Sequence, residues 1–123
     1  MSLCLCIGLL APSSPALAQS PTAPFSGDIF LRYCHEDVPA RRDRQFELVQ
    51  CYAFMNGVAF TFSTLVVLFP RLDGRLYCPP DSADLGEQIR VLRRYLEIHP
   101  EETPLPTSIL FFKAMQQAYP CPT

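Results

Sequence analysis

The sequence predicts an all-α protein, a small bundle of four main helices stapled by two disulfide bonds. Three observations predict this fold. Apolar residues recur at three- and four-residue spacing in separate stretches, proline-containing segments divide these stretches, and cysteines flank the predicted helices. The chain has 123 residues, which suits one domain, and no stretch alternates apolar and polar residues as a half-buried strand would.

Residues 1–18 differ from the rest of the chain because they carry no charged side chain. They are apolar up to Leu10 and end in Ala16-Leu17-Ala18, a small-x-small cleavage pattern. No Lys or Arg precedes the apolar stretch, so the basic part of a signal peptide is missing, and a disordered tail is the alternative. We expect residues 1–18 to be a signal peptide and residues 19–25 to form a flexible mature N-terminus.

The first helix is predicted in the segment SGDIFLRYC. Ser26 is a suitable N-cap and Asp28 lies in the first turn, where the helix dipole favours an acidic side chain. The apolar side of this helix consists of Ile29, Phe30 and Tyr33. The basic cluster that follows, Arg41, Arg42 and Arg44, contains Asp43 and is interpreted as a solvated loop.

A long second helix is predicted from about Gln45 to the residues before Pro70. Two faces follow the helical spacing, one with Phe46, Val49, Ala53, Gly57, Phe60 and Thr64, the other with Leu48, Tyr52, Met55, Ala59, Phe62 and Val66. Two apolar faces predict that the helix is buried on nearly all sides. A ridge of small residues would let another backbone come close, and it consists of Ala53, Gly57 and Thr61.

The same segment has the length of a membrane span, since the 20 residues from Cys51 to Pro70 carry no charge. Polar side chains within it, such as Asn56 and Ser63, and arginines on both flanks argue against a span. A chain this small also needs a central apolar helix to have a core. We therefore expect no membrane span in the mature chain.

A third helix follows the loop that ends in Pro79-Pro80, with Asp81 or Ser82 as its N-cap and His99-Pro100 as its end. Its apolar stripe consists of Leu85, Ile89, Leu92 and Leu96, with Val91, Tyr95 and Ile98 beside it. The solvated face consists of Glu87, Arg90, Arg94 and Glu97, and Arg93 and Glu97 are spaced for an ion pair.

The fourth helix follows the acidic elbow EETPLP, with Thr107 or Ser108 as its N-cap and Pro120 as its stop. The side chains expected to face inward are Phe111, Phe112, Met115, Ala118 and Tyr119. Those expected to face outward are Lys113, Gln116 and Gln117.

Four cysteines remain once residues 1–18 are removed, and an even number in a small exported chain predicts two disulfide bonds. Three pairings are open. Short links between the first and second helices and between the third and fourth favour antiparallel neighbours. This geometry favours Cys34–Cys51 and Cys78–Cys121.

Catalytic motifs are missing from the sequence, which contains no CxxC, no glycine-rich phosphate loop and no GxSxG. The two histidines, His35 and His99, each have carboxylates beside them, and a metal site shared by both clusters is a minor alternative. Acidic and basic residues are interspersed at a net charge of −2, which disfavours nucleic acid as a partner. We therefore expect no enzyme activity, no cofactor and no metal.

The absence of catalytic motifs favours a binding function. The candidate partner-binding surface is formed by the charged residues of the third helix and the elbow. Its residues are Glu87, Arg90, Arg94, Glu97, Glu101 and Glu102. Plain solvation is the simpler explanation for such a face.

Several segments together resemble the Rap/Tai family of periplasmic immunity proteins: LRYC, CYAFMNGV, YCPP, VLRRYLEIHPEE and AMQQAYPC, which place a related domain at residues 26–122. The matching residues are Cys34, Cys51, Tyr52, Gly57, Cys78, Pro79, Tyr95, Leu96, His99, Pro100, Glu101, Pro120 and Cys121. They resemble fold determinants, so contact residues do not carry over.

The resemblance implies a helical, exported, disulfide-bonded protein located in the periplasm, and a homodimer. It further implies an immunity function, in which the protein binds and occludes a peptidoglycan amidase effector delivered by type VI secretion. A general envelope protein, structural or chaperone-like and without a toxin partner, is the alternative.

Overall fold

The computed structural model describes residues 25–35, 42–72 and 76–123. Four α-helices follow one another: α1 Gly27–Tyr33, α2 Arg42–Leu68, α3 Leu85–Ile98 and α4 Thr107–Ala118. Short 3-10 helices span Pro70–Leu72 and Pro100–Glu102. Within these ranges the only strand-like feature is an isolated bridge between Ser26 and Pro106, which confirms the all-α fold class. The predicted signal peptide lies outside the described residues.

The core is formed by all four helices, and Phe30 from α1 is fully buried in it. The fully buried large side chains are Phe30, Met55, Leu92, Leu96, Leu110, Phe111 and Met115. The predicted stripe on α3 therefore lies in the core. On α4 the inward face differs from the prediction, because Leu110 and Ala114 are buried and Ala118 is exposed.

The start of α1 is held by the elbow between α3 and α4. The amides of Gly27 and Asp28 donate to the carbonyls of Leu105 and Thr103 at 3.0 and 3.1 Å. A Cβ atom on Gly27 would lie 2.8 Å from the Thr103 carbonyl oxygen, so only glycine permits this approach. Ser26 occupies the N-cap position as predicted, but its side chain makes no capping hydrogen bond, and backbone carbonyls of the elbow accept the amides of Gly27 and Asp28 instead.

Helix α2 begins earlier than predicted, at Arg42, so Arg42 and Arg44 belong to the helix and the loop interpretation is wrong there. The expectation that α2 is buried on nearly all sides is also wrong. Cys51 and Met55 are buried on one side, but Phe60 on the opposite side is 70% exposed. The cause is the small size of the domain: the other helices cover one side of α2 and no described element covers the other.

The predicted caps of the last two helices are wrong by a few residues. Asp84 caps α3 by accepting a 2.8 Å hydrogen bond from the Glu87 amide, in place of Asp81 or Ser82. Helix α4 begins at Thr107, directly after Pro106, and has no side-chain cap. Pro106 occupies the N-cap position, and its ring holds φ at −57° directly before the first helical residue. The ends of α3 and α4, at Ile98 and Ala118, agree with the prolines in the sequence.

Two disulfide bonds cross-link the bundle. Cys34 after α1 is bonded to Cys51 in α2 with 5.3 Å between the Cα atoms, and both residues are buried. Cys78 before α3 is bonded to Cys121 after α4, with a Cα separation of 4.9 Å. Both are the pairs that helix geometry favoured.

Candidate partner-binding surface

The charged face of α3 consists of Glu87, Arg90, Arg94 and Glu97, at the spacing of one side of a helix. Glu87 accepts hydrogen bonds from the Arg90 guanidinium at 2.9 Å, and both side chains remain well exposed. Arg94 and Glu97 are exposed. A shallow depression of about 220 Å³ lies along this face, lined by Arg90, Arg93, Arg94 and Glu97.

The elbow brings Glu102 between α3 and α4. Its Oε2 accepts a 2.8 Å hydrogen bond from the Tyr95 hydroxyl on α3, and its Oε1 accepts from Lys113 Nζ on α4. The bond from Lys113, followed by the bond from Tyr95, lowers the pKa of the Glu102 carboxyl below its ordinary value. Lys113 therefore faces the elbow, although the sequence predicted that it faces outward.

The contacts of Glu102 also shift the pKa values of its two partners, Tyr95 and Lys113. Burial, followed by the hydrogen bond to Glu102, raises the pKa of the Tyr95 hydroxyl. The bond to Glu102 raises the pKa of the Lys113 ammonium. Both Glu102 oxygens are occupied within the protein, so Glu102 serves to join the elbow to the helices.

The Glu101 side chain lies beside this network and is 68% exposed. His99 Nδ1 lies 3.5 Å from Glu101 Oε1, and the His99 ring packs on the Tyr95 ring with 4.5 Å between their centroids. Of the six predicted surface residues, the structure therefore leaves five accessible and assigns Glu102 to the elbow network.

An apolar groove runs between α3 and α4 beside the charged face. Its volume is about 210 Å³, and it is lined by Val91, Arg94, Tyr95, Ile98, Ala114, Gln117 and Ala118. Ala114 and Ala118 keep it open, and Ile98, which was predicted to face the core side, is 63% exposed at its edge. Arg94 belongs to both the groove and the charged face, so the two features form one continuous surface.

The sequence predicted an ion pair between Arg93 and Glu97, and it did not indicate that the Arg93 side chain is partly buried. Its Nε and Nη2 atoms are buried and have no hydrogen-bond partner in the described part of the chain. Arg93 and Glu97 line the same depression, but the buried guanidinium nitrogens of Arg93 form no hydrogen bond with Glu97.

The histidines do not form the shared metal cluster that was the minor alternative. Among the residues with a described position, the potential ligand group within 4.8 Å contains His99, Glu101 and Glu102. His35 instead lines a cavity beside the Cys34–Cys51 disulfide. Because Lys113 and Tyr95 already occupy Glu102, a cation at His99 would compete with a formed ion pair, which favours a structural role for this cluster.

Helix α2 has a long apolar surface, which the sequence predicted to be buried in the core. Over Arg44–Leu68 it is long and apolar enough to cross a membrane, and 11% of its most apolar 18-residue stretch is buried. The apolar composition was visible in the sequence, but the side that lacks a partner was not.

The family-model comparison matches residues 26–121 to Rap1a immunity proteins. The match begins at the N-cap of α1 and ends at Cys121, so it contains all four helices and both disulfide bonds. The chain belongs to the Rap1a immunity protein family. This confirms the resemblance identified in the sequence.

Membership in this family gives the protein a role in toxin immunity. Immunity proteins of this kind are generally not enzymes, and they bind a toxin partner. No curated protein and no solved structure matched the chain.

Proposed function

We propose that this protein is a periplasmic immunity protein that binds and occludes a peptidoglycan amidase toxin delivered by type VI secretion. The observation that carries the proposal is the family match over residues 26–121. Two disulfide bonds in a small helical domain support an oxidising compartment, because such bonds do not persist in a reducing cytoplasm. Because the chain resembles Rap/Tai proteins, we also propose that it forms a homodimer.

The binding surface is proposed to be the charged face of α3 together with the α3–α4 groove. The groove has the volume to accept a side chain of the toxin, and its lining is mostly apolar. Arg94 at its edge can receive a carboxylate from the toxin, and Glu101 extends the surface on the elbow. A rigid, disulfide-bonded domain loses little conformational freedom on binding, which favours tight occlusion.

The alternative function, a general structural or chaperone-like envelope protein, is favoured by the exposed apolar side of α2. A pull-down from the periplasm separates the two. One tightly bound cell-wall hydrolase supports immunity, and many weakly bound proteins support the alternative.

Charge reversal at the proposed surface tests the function. Arg94→Glu should weaken inhibition of a cognate amidase at least tenfold, because it removes the central cation and places a like charge against the toxin carboxylate. The toxin to test first is a secreted amidase encoded beside this protein, and the readout is the inhibition constant in a peptidoglycan hydrolysis assay.

Arg71→Glu is the matched control, since it makes the same charge change on an exposed residue of the 3-10 helix after α2. It should leave inhibition unchanged. Equal effects of the two substitutions would contradict the proposed surface. A wild-type protein that neither binds nor inhibits any such amidase would contradict the proposed function.

A further inference from the structure

The two disulfide bonds differ in their access to solvent. Cys34 and Cys51 are 2% and 1% exposed, so we call their bond the buried disulfide. The cavity of about 260 Å³ beside it can admit a small thiol but is too small for a protein loop. Cys78 is exposed and Cys121 is half-buried, so we call their bond the surface disulfide. A thiol carried by another protein can reach only the second of these bonds in the folded domain.

The surface disulfide joins two irregular segments of the chain. Cys78 lies in the loop before α3, and Cys121 lies three residues after Ala118, where α4 ends. The same two segments are also joined by a hydrogen bond of 2.8 Å from the Cys78 amide to the Tyr119 carbonyl. Exposed disulfides are the ones that thiol exchange opens most readily, whereas buried ones resist reduction. The position of this bond is therefore typical of a reducible disulfide.

Tyr119 connects the surface disulfide to the proposed toxin surface. It directly follows Ala118, which lines the α3–α4 groove, and its half-buried ring packs against the core. Burial, followed by the charge of Glu87, raises the pKa of the Tyr119 hydroxyl, with an opposing effect of Arg94. The ring therefore lies beside the charged face of α3. The disulfide two residues further on holds this end of α4 in place.

We propose that Cys78 is a site of thiol–disulfide exchange with a protein dithiol, and that opening the surface disulfide releases the end of α4 from the charged face of α3. The exchange requires no toxin. Its consequence for immunity rests on the proposed function: the oxidised protein holds the groove and the charged face together for the toxin, and the reduced protein binds the toxin more weakly.

The exchange begins at Cys78, the more exposed of the two cysteines. A thiolate of the dithiol attacks Cys78 Sγ and forms a mixed disulfide, and the bond to Cys121 breaks with its electron pair on Cys121 Sγ, which takes up a proton. The second thiolate of the dithiol then attacks its own partner's sulfur, and Cys78 leaves as a thiolate that takes up a proton in turn. The dithiol supplies both electrons and both protons, and it is oxidised to a disulfide.

The rest of the domain has contacts that do not depend on the surface disulfide. Helices α3 and α4 meet through fully buried side chains, among them Leu92, Leu96, Leu110 and Phe111. The buried disulfide still joins α1 to α2. Opening of the surface disulfide is therefore a local event, which frees residues 119–123 and the loop before α3.

The first experiment measures which bond a protein dithiol opens. The folded full-length chain, purified after export, is incubated with reduced thioredoxin, free thiols are alkylated at intervals, and mass spectrometry locates the label. The surface disulfide should be labelled at least about tenfold faster than the buried one, because the attacking thiolate needs access to the sulfur. In urea that unfolds the chain, both bonds should be labelled at equal rates, which verifies that thioredoxin can reduce each of them.

Two results of this experiment would overturn the proposal. Equal rates in the folded protein would show that both bonds open through unfolding of the whole domain. A surface disulfide that stays unlabelled, or that is labelled after the buried one, would show that Cys78 is not an exchange site.

The second experiment measures what the open bond releases, using hydrogen exchange of the double variant Cys78→Ala/Cys121→Ala. The amides at positions 78 and 119, which form hydrogen bonds of 2.8 Å in the oxidised protein, should exchange as fast as those of an unstructured peptide. The amide of Leu92 in the buried middle of α3 is the control and should remain protected. Protection of positions 78 and 119 as in the wild type would contradict release, and loss of protection at Leu92 would contradict local opening.

The third experiment separates this inference from the proposed function. The double variant should inhibit a cognate amidase at least about tenfold more weakly than the oxidised wild type, because the end of the groove is no longer held. Equal inhibition would overturn the link between the surface disulfide and toxin binding. A wild type that inhibits no amidase would contradict the proposed function, while the labelling rates alone decide whether Cys78 is an exchange site.

Discussion

Glu102 is the residue at which α3, the elbow and α4 meet, and its carboxylate contributes to stability only while it is ionised. The pKa of Glu102 is lowered from an ordinary value of 4.5 in the folded protein, first by Lys113 and then by Tyr95. A carboxyl whose pKa falls on folding stabilises the fold above its unfolded pKa, and this stabilisation is lost as the pH falls through the lowered value. The elbow contacts should therefore weaken in acid.

The substitution Glu102→Gln tests this dependence. The amide keeps an acceptor for Tyr95 but cannot pair with the Lys113 ammonium, so the melting temperature at pH 7 should fall. As the pH drops from 4.5 through the lowered pKa, the wild type loses the same interaction, and the two melting curves should converge. Thermal unfolding followed by circular dichroism between pH 3 and pH 7 measures both effects, since these values bracket the ordinary glutamate range.

Glu101→Gln is the control, because Glu101 is exposed and its contact with His99 is long. It should leave the melting temperature unchanged at each pH. If Glu102→Gln has the same melting temperature as the wild type at pH 7, the stability of the elbow does not depend on the ion pair.

At the scale of helices, the two disulfide bonds restrict different parts of the chain. Cys34–Cys51 spans 17 residues between α1 and α2, and Cys78–Cys121 spans 43 residues around α3 and α4. Cys78 is exposed and its amide donates to the Tyr119 carbonyl at 2.8 Å, so this bond closes the far end of the helix pair at the surface. Cys34 and Cys51 are buried, so their bond is part of the core.

Replacing each pair by alanine should lower the free energy of unfolding by different amounts. Loop closure predicts a loss of about 3 kcal/mol for Cys34–Cys51 and about 4 kcal/mol for Cys78–Cys121. Urea unfolding of the two double variants measures these losses. The buried pair also leaves a void when its sulfur atoms are removed, which adds to its loss. A change below about 1 kcal/mol for either double variant would contradict the view that the bonds hold the bundle together.

The sequence predicted the helices well because prolines and apolar spacing act locally. The ends of α3 and α4 and the stripe on α3 depend on residues that are neighbours in the chain. The caps were less predictable, since Ser26, Asp81 and Thr107 are all plausible caps and tertiary contacts decide which amides need one. The free side of α2 was not predictable, because both of its sides are apolar and only the packed domain shows which one has neighbours.

The residues of the candidate site were likewise predictable only where they depend on neighbours in the chain. Helical spacing placed Arg90, Arg94 and Glu97 on one exposed face, as the structure has them. The elbow network required knowledge of the fold, because Tyr95, Glu102 and Lys113 come together only when α3 and α4 lie side by side. No pattern in the sequence distinguishes Glu102 from Glu101, yet one is held within the protein and the other is exposed.

For the whole molecule, the proposed toxin surface lies on α3 and α4, whereas several exposed apolar side chains lie on α2. Every part of this arrangement depends on oxidised cysteines, and hence on the compartment in which the protein folds. Export is therefore as necessary to the proposed function as the surface residues are.

Deleting residues 1–18 should abolish protection of cells against a toxin that acts on peptidoglycan. Without export the protein cannot meet the toxin, and its cysteines stay reduced in the cytoplasm. A foreign signal peptide fused before Gln19 should restore protection, which separates loss of export from loss of residues needed for binding. Alkylation and mass spectrometry should find no free thiol at Cys34, Cys51, Cys78 or Cys121 in the exported protein. Protection by the unexported chain, or four free thiols in the exported one, would contradict the proposed location.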